Sequence, residues 1–110
     1  MKYFVTLDEC KSTCYHEFYK GKWDEETFWK RDSLYLHDDI LFELKLEDLF
    51  YEANSAYDPF GEVEMDKNHW QQICENARNA GGEVLKAIEE LNEWVSETFK
   101  EYEVFTILGI

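Results

Sequence analysis

The chain has 110 residues, of which 45% are hydrophobic and 17% aromatic, and its formal net charge is −14. This composition excludes a disordered acidic tail, and the length is enough for one domain with a real core but not for two. The negative charge disfavours direct binding of nucleic acid or of an anionic membrane, since both are negative, and it favours a basic protein as the partner.

The beginning of the chain does not have the pattern of a signal peptide. Its apolar run ends at Asp8, whereas the core of a signal peptide needs roughly 7–15 apolar residues. No stretch approaches the roughly 18 apolar residues of a membrane span. The cysteines Cys10, Cys14 and Cys74 are sparse and odd in number, which indicates reduced thiols rather than disulfides. We therefore expect a cytoplasmic protein.

The first twenty residues predict a strand followed by a helix. Residues 2–7 fit a first strand, because they are rich in aromatic and aliphatic side chains. Residues 8–19 fit a helix, because Cys10, Cys14 and Phe18 recur at a spacing of four residues.

The middle of the chain predicts a short helix, a short strand and a longer helix. Within residues 23–31, three acids at 24–26 look like the first turn of a short helix, and Phe28 and Trp29 are its expected apolar anchors. Residues 34–36 suit a strand. Asp38 or Asp39 then caps a helix that ends near Asn54. The apolar side of this helix consists of Phe42, Leu46, Leu49, Phe50 and Ala53.

A turn, an edge strand and a capped helix follow. The segment Asp58-Pro59-Phe60-Gly61 has the residue preferences of a type I turn. Residues 62–65 alternate as a short edge strand does, and Asp66 caps a helix with an apolar stripe. A single helix over residues 67–102 would be about 54 Å long, which is too long for a domain of this size. We therefore expect a break at Gly81-Gly82. The stripe consists of Trp70, Ile73, Cys74 and Ala77.

The last third of the chain predicts an amphipathic helix and an inner strand. Apolar residues recur at steps of three and four from residue 84 to residue 102, and glutamates fill the other side. Residues 104–108 are almost wholly apolar, which predicts a strand buried on both faces. The fold class is therefore α+β: a single domain, residues 1–110, of amphipathic helices packed on a small mixed β-sheet. The apolar stripe consists of Val84, Leu85, Ile88, Leu91, Val95, Phe99 and Tyr102.

The sequence contains no catalytic motif. It has no phosphate-binding glycine loop, no HExxH pair and no nucleophile elbow. The cysteines and His16 do not have the spacing of zinc ligands, and Asp38 and Asp39 are better explained as helix caps than as metal ligands. We expect no enzymatic activity, no metal and no cofactor. The alternative from another class is a small metal-dependent enzyme that uses His37, Asp38 and Asp39.

The negative charge is concentrated in one part of the chain. Residues 38–66 contain ten acids and one lysine, a net charge of −9, whereas residues 1–37 carry −1 and residues 67–110 carry −4. Aromatic residues lie among these acids, as in a protein interface where aromatics anchor and carboxylates meet Arg and Lys. The alternative is that the aromatics belong to the core and the acids face water. The expected partner-binding residues are Asp38, Asp39, Glu43, Glu47, Asp48, Tyr51, Glu52, Tyr57, Asp58, Phe60, Glu62 and Glu64.

A second acidic feature lies on the last predicted helix. Its members are four residues apart, so they form three like-charge pairs, each unfavourable by roughly 0.2–0.5 kcal/mol. This glutamate ridge is either an ordinary solvated face or a second contact surface. It consists of Glu89, Glu93, Glu97 and Glu101.

One pattern in the second half of the chain resembles a known family. It consists of Tyr57-Asp58-Pro59-Phe60-Gly61-Glu62-Val63, Trp70, Gly81-Gly82-Glu83-Val84-Leu85, Trp94 and the ending Phe105-Thr106-Ile107-Leu108-Gly109-Ile110. In this pattern the chain is similar to small acidic immunity proteins of bacterial polymorphic-toxin systems, including contact-dependent growth inhibition.

This resemblance implies a protein without enzymatic activity that binds the toxin domain of its own system and blocks it. It implies no particular contact residue, so the expected site rests on charge alone. We expect the partner to be a cognate toxin domain, a basic nuclease, whose active-site groove is masked. The alternative is an acidic nucleic-acid mimic that inhibits a host or phage nucleic-acid enzyme.

Overall fold

The computed structural model describes residues 2–110 and folds them into five strands and four α-helices. In chain order the elements are β1 (Phe4–Val5), β2 (Tyr15–Lys20), β3 (Leu34–His37), α1 (Asp38–Glu43), α2 (Leu46–Ala53), β4 (Glu62–Asp66), α3 (Lys67–Ala80), α4 (Gly82–Glu101) and β5 (Val104–Leu108). The α+β class expected from the sequence is confirmed. Within residues 2–110, no helix combines the length and the apolar character needed to cross a membrane.

The five strands form one sheet in the order β1-β3-β2-β5-β4. All four neighbouring pairs are antiparallel. The sequence predicted a mixed sheet, and this detail of the prediction is wrong. The reason lies in the last connection, which contains two helices. A single crossover helix would return the chain parallel to β4, whereas the α3–α4 pair returns it antiparallel. The last strand, β5, is an inner strand as expected, and β4 is an edge strand.

The core lies between the sheet and the four helices, each of which contributes buried side chains to it. The ring of Phe105 is at its centre, with the rings of Trp70, Trp94 and Phe99 each 5.9 Å away. On the neighbouring strand, Phe18 packs edge-on against Phe4 and Phe50. The predicted stripe of α4 is confirmed, because its middle is buried against this core. Its buried members are Ile88, Leu91 and Val95.

The helix predicted over residues 8–19 is wrong. Only Leu7–Glu9 form a short 3₁₀ turn, and Tyr15–Lys20 form the central strand β2. The Ser12 hydroxyl accepts a hydrogen bond from the Cys14 backbone N–H, so a side chain competes with the helical backbone here. The predicted first strand is also shorter than expected, since β1 has only two residues.

The short helix predicted over residues 23–31 is wrong as well. Asp24 binds the backbone N–H groups of Glu26 and Thr27, at 2.9 and 2.8 Å, as a helix cap would. However, Glu25 and Trp29 adopt left-handed backbone conformations, with φ of 66° and 59°, which no α-helix can include. We call residues 22–33 the aromatic loop.

The helix predicted to begin at residue 38 is divided in two. The cap is His37 rather than an aspartate, because its Nδ1 accepts from the Asp39 backbone N–H at 3.0 Å. The chain then takes a left-handed step at Lys45, with φ of 56°. This step lets both Leu41 and Leu46 reach the core, although five residues of continuous helix would place them on different faces.

The second half of the chain follows the sequence prediction closely. The Asp58–Gly61 turn closes with a 3.0 Å backbone bond. Asp66 caps α3 by accepting from the backbone N–H of His69 at 2.9 Å. The chain breaks at Gly81, whose φ of 65° and ψ of −160° are outside the helical region. The two glycines thus fold α3 and α4 into a pair, within a domain of radius of gyration 12.6 Å.

Candidate partner-binding surface

The acidic segment, residues 38–64, begins at the same end of the sheet as β4, the strand in which it ends. His37, the last residue of β3, lies opposite Tyr15, the first residue of β2. Leu108, the last residue of β5, lies opposite Glu62, the first residue of β4. The start of α1, the turn before β4 and the C-terminus therefore meet at one end of the molecule.

Most of the predicted partner-binding residues are exposed. Glu62 and Glu64 point away from the helices, because Val63 and Met65 between them face the core. The other exposed members lie on α1, on α2 and in the turn, so the acidic segment wraps around the β4 edge of the sheet. The exposed members are Asp39, Glu43, Asp48, Tyr51, Glu52, Asp58, Phe60, Glu62 and Glu64.

Three predicted residues are not free at the surface. Tyr57 is 5% exposed and packs against Phe50, so it is a core residue and not a surface anchor. Glu47 is partly buried, and one of its carboxylate oxygens is sealed from solvent. Asp38 is partly buried and lies 2.8 Å from His16 Nε2. The sequence did not reveal the contact of Asp38, because His16 lies 22 residues away in the chain.

Polar groups under α1 and α2 are sealed without partners. They are His16 Nδ1, one oxygen of Glu47 and the Tyr57 hydroxyl. Burial lowers the pKa of His16, although the adjacent Asp38 carboxylate acts in the opposite direction. Burial also raises the pKa of Glu47, as it does the pKa of Tyr57.

The structure does not assemble the aspartates and histidines into a metal centre. In residues 2–110, no three side chains of His, Cys, Asp or Glu are arranged to hold a metal ion. The His37 ring caps α1, and Asp38 is turned towards His16. Neither aspartate is the helix cap that the sequence predicted, because His37 takes that position; both lie in the first turn of α1, where a carboxylate favours the helix N-terminus.

The carboxylates of the acidic segment have no lysine or arginine partner among the described residues, and only Asp38 and Asp39 lie beside a histidine. No lysine or arginine of residues 2–110 forms a salt bridge with an acid in residues 38–64. Acids elsewhere are neutralised in part. Arg31 pairs with Asp8 at 2.9 Å and Lys100 pairs with Glu97 at 2.9 Å. Negative charge is therefore least compensated on the acidic segment.

The glutamate ridge is exposed along α4, as predicted, but bases lie beside it. Glu97 accepts from Lys100, which lowers the pKa of that carboxyl group. Lys20 lines the same surface cleft of about 510 Å³ as Glu93 and Glu97. The ridge thus offers a partner less unpaired charge than the acidic segment does.

Sequence reasoning missed a group of exposed aromatic side chains. Phe28 and Trp29, which were expected to anchor a buried helix, are 52% and 39% exposed. They lie near Phe60, which is 74% exposed, and near the C-terminal Ile110. The signal available in the sequence was the run of aromatics in a segment without a sustained helical period.

No family model, no curated protein and no solved structure matches the chain significantly. The interpretation of this surface therefore depends on its own geometry and charge.

Proposed function

We propose that this chain is a cytoplasmic immunity protein that binds a cognate bacterial toxin domain and masks its active-site groove. The observation that supports the proposal most directly is the unpaired charge of the acidic segment. Most surface carboxylates of a solubility-selected protein would be mixed with lysine and arginine. Carboxylates without such neighbours are free to pair with lysine and arginine side chains of another protein.

The chemistry of the surface favours a basic nuclease as the toxin. Nucleases bind phosphates with Arg and Lys, and the same side chains form strong charge-assisted hydrogen bonds with carboxylates. The opposite charges of the two proteins would also steer their encounter, which raises association rates by about 10–10³-fold. The inhibitor would need no cofactor and no catalytic group, since occupying the groove is sufficient.

The second candidate is an acidic nucleic-acid mimic directed at a host or phage nucleic-acid enzyme. The same unpaired carboxylates favour it, because they can occupy phosphate sites. The two functions differ in the identity of the target. An immunity protein protects against one toxin, whereas a mimic inhibits an enzyme that is not encoded beside it.

The test is co-expression with the toxin domain encoded beside the gene for this chain. We expect growth of the host to be restored, a stable complex to form and the nuclease activity of the purified toxin domain to be lost. A toxin domain from an unrelated system is the control and should remain active. Loss of protection without loss of folding in an acid-to-lysine variant of the acidic segment would support the assigned surface. A toxin domain that remains active in excess of this chain would contradict the proposal.

A further inference from the structure

Four exposed apolar side chains form what we call the aromatic surface: Phe28, Trp29, Phe60 and Ile110. They are 52%, 39%, 74% and 52% exposed. Two surface clefts of about 260 and 170 Å³ lie among them. The two clefts share Phe28, Leu108 and Gly109 as lining residues. The aromatic surface is therefore continuous across the face of the sheet that the helices do not cover.

The aromatic loop is held firmly in this position by a buried carboxylate. Glu17 is 5% exposed and accepts from the backbone N–H groups of Trp29 and Lys30 at 2.7 and 3.1 Å. The hydroxyl of Ser33 donates to the same carboxylate at 2.7 Å. The Tyr35 hydroxyl donates to the Lys30 carbonyl at 2.6 Å. Together these bonds fix the backbone of the loop at Trp29 and Lys30 and hold Ser33 beside them.

Trp29 itself is held in an unfavourable backbone conformation. Its φ of 59° is in the left-handed region, which residues with a Cβ seldom adopt. Its ring stacks on Tyr35 at 5.3 Å with an interplanar angle of 12°. Strained backbone persists only where the surrounding structure enforces it, and such sites are often functional. The loop thus holds one face of the Trp29 ring against Tyr35 and leaves the rest of the side chain partly exposed.

Phe60 is fixed from the opposite side of the surface. Its backbone N–H donates to Asp58 at 2.9 Å within the turn. Gly109 and Ile110 tie the C-terminus to this turn, through bonds of 2.6 Å to the Gly61 carbonyl and 3.2 Å to the Pro59 carbonyl. The backbone at both edges of the aromatic surface is therefore held by hydrogen bonds within the chain, and such preorganisation reduces the entropic cost of association.

We infer that the aromatic surface is the anchor site for a basic protein partner. The same partner contacts the acidic segment at the rim of the aromatic surface. Glu62 lines one of the clefts, and Asp58 lies in the turn that carries Phe60. Neither acid has a lysine or arginine partner among residues 2–110. A basic partner offers arginine, whose planar side chain stacks on aromatic rings and pairs with carboxylates at the same time. The inference rests on the proposed function, so the partner is the toxin domain.

The experiment uses the full chain and the purified toxin domain encoded beside its gene. The test variant is Phe28→Ala with Phe60→Ala, and the control is Tyr102→Ala, which removes an exposed aromatic at the end of α4, outside both the aromatic surface and the acidic segment. All three side chains are more than 40% exposed, so both variants should keep the wild-type circular dichroism spectrum. We expect the test variant to raise the Kd by about 100-fold or more, as the loss of hot-spot residues does. The control should raise the Kd by less than about fivefold.

The outcomes distinguish a failure of this inference alone from a failure of the proposed function. If the test variant binds as the wild type does, or if the control loses as much affinity, the aromatic surface is not the anchor. Should charge reversal of the acidic segment abolish binding while the test variant still binds tightly, the immunity function stands and the anchor site falls. If the wild type does not bind the toxin domain, both the function and the inference are overturned.

Discussion

The imidazole Nε2 of His16 lies 2.8 Å from a carboxylate oxygen of Asp38, which fastens the first turn of α1 to the central strand β2. His16 is 1% exposed, and its second ring nitrogen is sealed without a partner. A proton on that nitrogen would have no acceptor. Burial and the nearby His37 therefore lower the pKa of His16 below 6.5, and Asp38 only partly offsets them.

We predict that acid below about pH 6.5 destabilises the fold through His16. In the unfolded chain this histidine binds a proton near its ordinary pKa of 6.5, while in the fold it stays neutral to lower pH. The unfolded state then binds more protons, so stability falls as the pH decreases from 6.5 towards the folded pKa. Urea unfolding at pH 7.5 and 5.5 should show this loss. His16→Gln should lose less stability over the same interval, and an equal loss in both proteins would contradict the assignment.

The sealed carboxylate of Glu47 leads to a prediction of the opposite sign. Burial raises the pKa of this group above 4.5, so the folded state resists its ionisation. The free-energy penalty for holding the ionised Glu47 carboxylate in the fold is fully present at neutral pH. It disappears as the pH falls through the folded-state pKa of this group towards 4.5. Glu47→Gln should therefore raise the free energy of unfolding at pH 7 by about 1 kcal/mol, since a neutral amide costs less to bury. Denaturant unfolding measures this.

The control for this variant is Glu52→Gln, at an exposed position of the same helix. Its effect should be within about 0.5 kcal/mol of zero. If Glu47→Gln has no larger effect at pH 7, or keeps its effect at pH 4, the buried carboxylate is not the cause.

The elements that were predicted best are those marked in the sequence by patterns of neighbouring residues. The stripe of α4 repeats over five turns, Asp66 caps α3 within three residues, and Gly81 breaks the helix where two glycines occur. Each feature depends on residues close together in the chain. Local patterns of this kind survive in the structure because packing reinforces them.

The central strand β2 illustrates why the rest could not be predicted. His16, Glu17, Phe18 and Tyr19 are all buried, so no alternation of polar and apolar residues marks the strand. The two polar residues among them are satisfied by distant partners. His16 binds Asp38, 22 residues away, and Glu17 binds the Trp29 backbone, 12 residues away. A helical spacing of Cys10, Cys14 and Phe18 was then the only local pattern present.

The candidate site shows the same limit in another form. Charge could be counted from the sequence, and the acidic segment is largely exposed as expected. The exposure of individual aromatic side chains could not be predicted from the sequence, since Tyr57 is buried while Phe28 and Phe60 are at the surface. Whether an aromatic side chain packs inside or outside depends on tertiary neighbours, such as the Glu17 carboxylate that holds the aromatic loop.

The α4 stripe provides a direct test of the core. Leu91 and Val95 are both 0% exposed. Leu91→Ala should reduce the free energy of unfolding by about 2–5 kcal/mol, and Val95→Ala by somewhat less because it removes fewer carbons. Glu93→Ala, at an exposed position between them, is the control and should change stability by less than about 0.5 kcal/mol. Urea midpoints that do not change for either core variant would mean that the stripe faces water.

Gly109 gives a test of the contact between the C-terminus and the turn. A Cβ atom there would overlap the Pro59 carbonyl oxygen and lie 2.7 Å from the Gly61 carbonyl oxygen. Gly109→Ala should therefore reduce stability by about 1–3 kcal/mol, as overpacking does. At Gly61 the same atom would approach Asp58 no closer than 3.4 Å, so Gly61→Ala is a matched control with a small effect. Thermal midpoints compare the two, and equal loss in both would contradict the close contact.

The final prediction concerns which acidic surface meets the toxin domain. One variant changes four exposed acids of α1 and α2 to lysine, and Glu47 is left intact because it is partly buried. A second variant changes the glutamate ridge in the same way. Both bring the formal net charge from −14 to −6, so they differ only in where the charge lies. The first variant carries Asp39→Lys, Glu43→Lys, Asp48→Lys and Glu52→Lys, and the second carries Glu89→Lys, Glu93→Lys, Glu97→Lys and Glu101→Lys.

We expect the first variant to keep the wild-type circular dichroism spectrum, yet to lose protection and most of the salt-dependent part of its association rate. Exposed charges act over about 8 Å at physiological salt, so the acids nearest to the contact dominate this term. The ridge variant should lose less, since Lys20 and Lys100 already lie beside that ridge. Association rates measured from about 50 to about 300 mM salt, a range over which the screening length shortens substantially, compare the two variants. If the ridge variant fails to bind while the first still protects, the toxin domain docks on α4 and the assignment of the acidic segment is wrong.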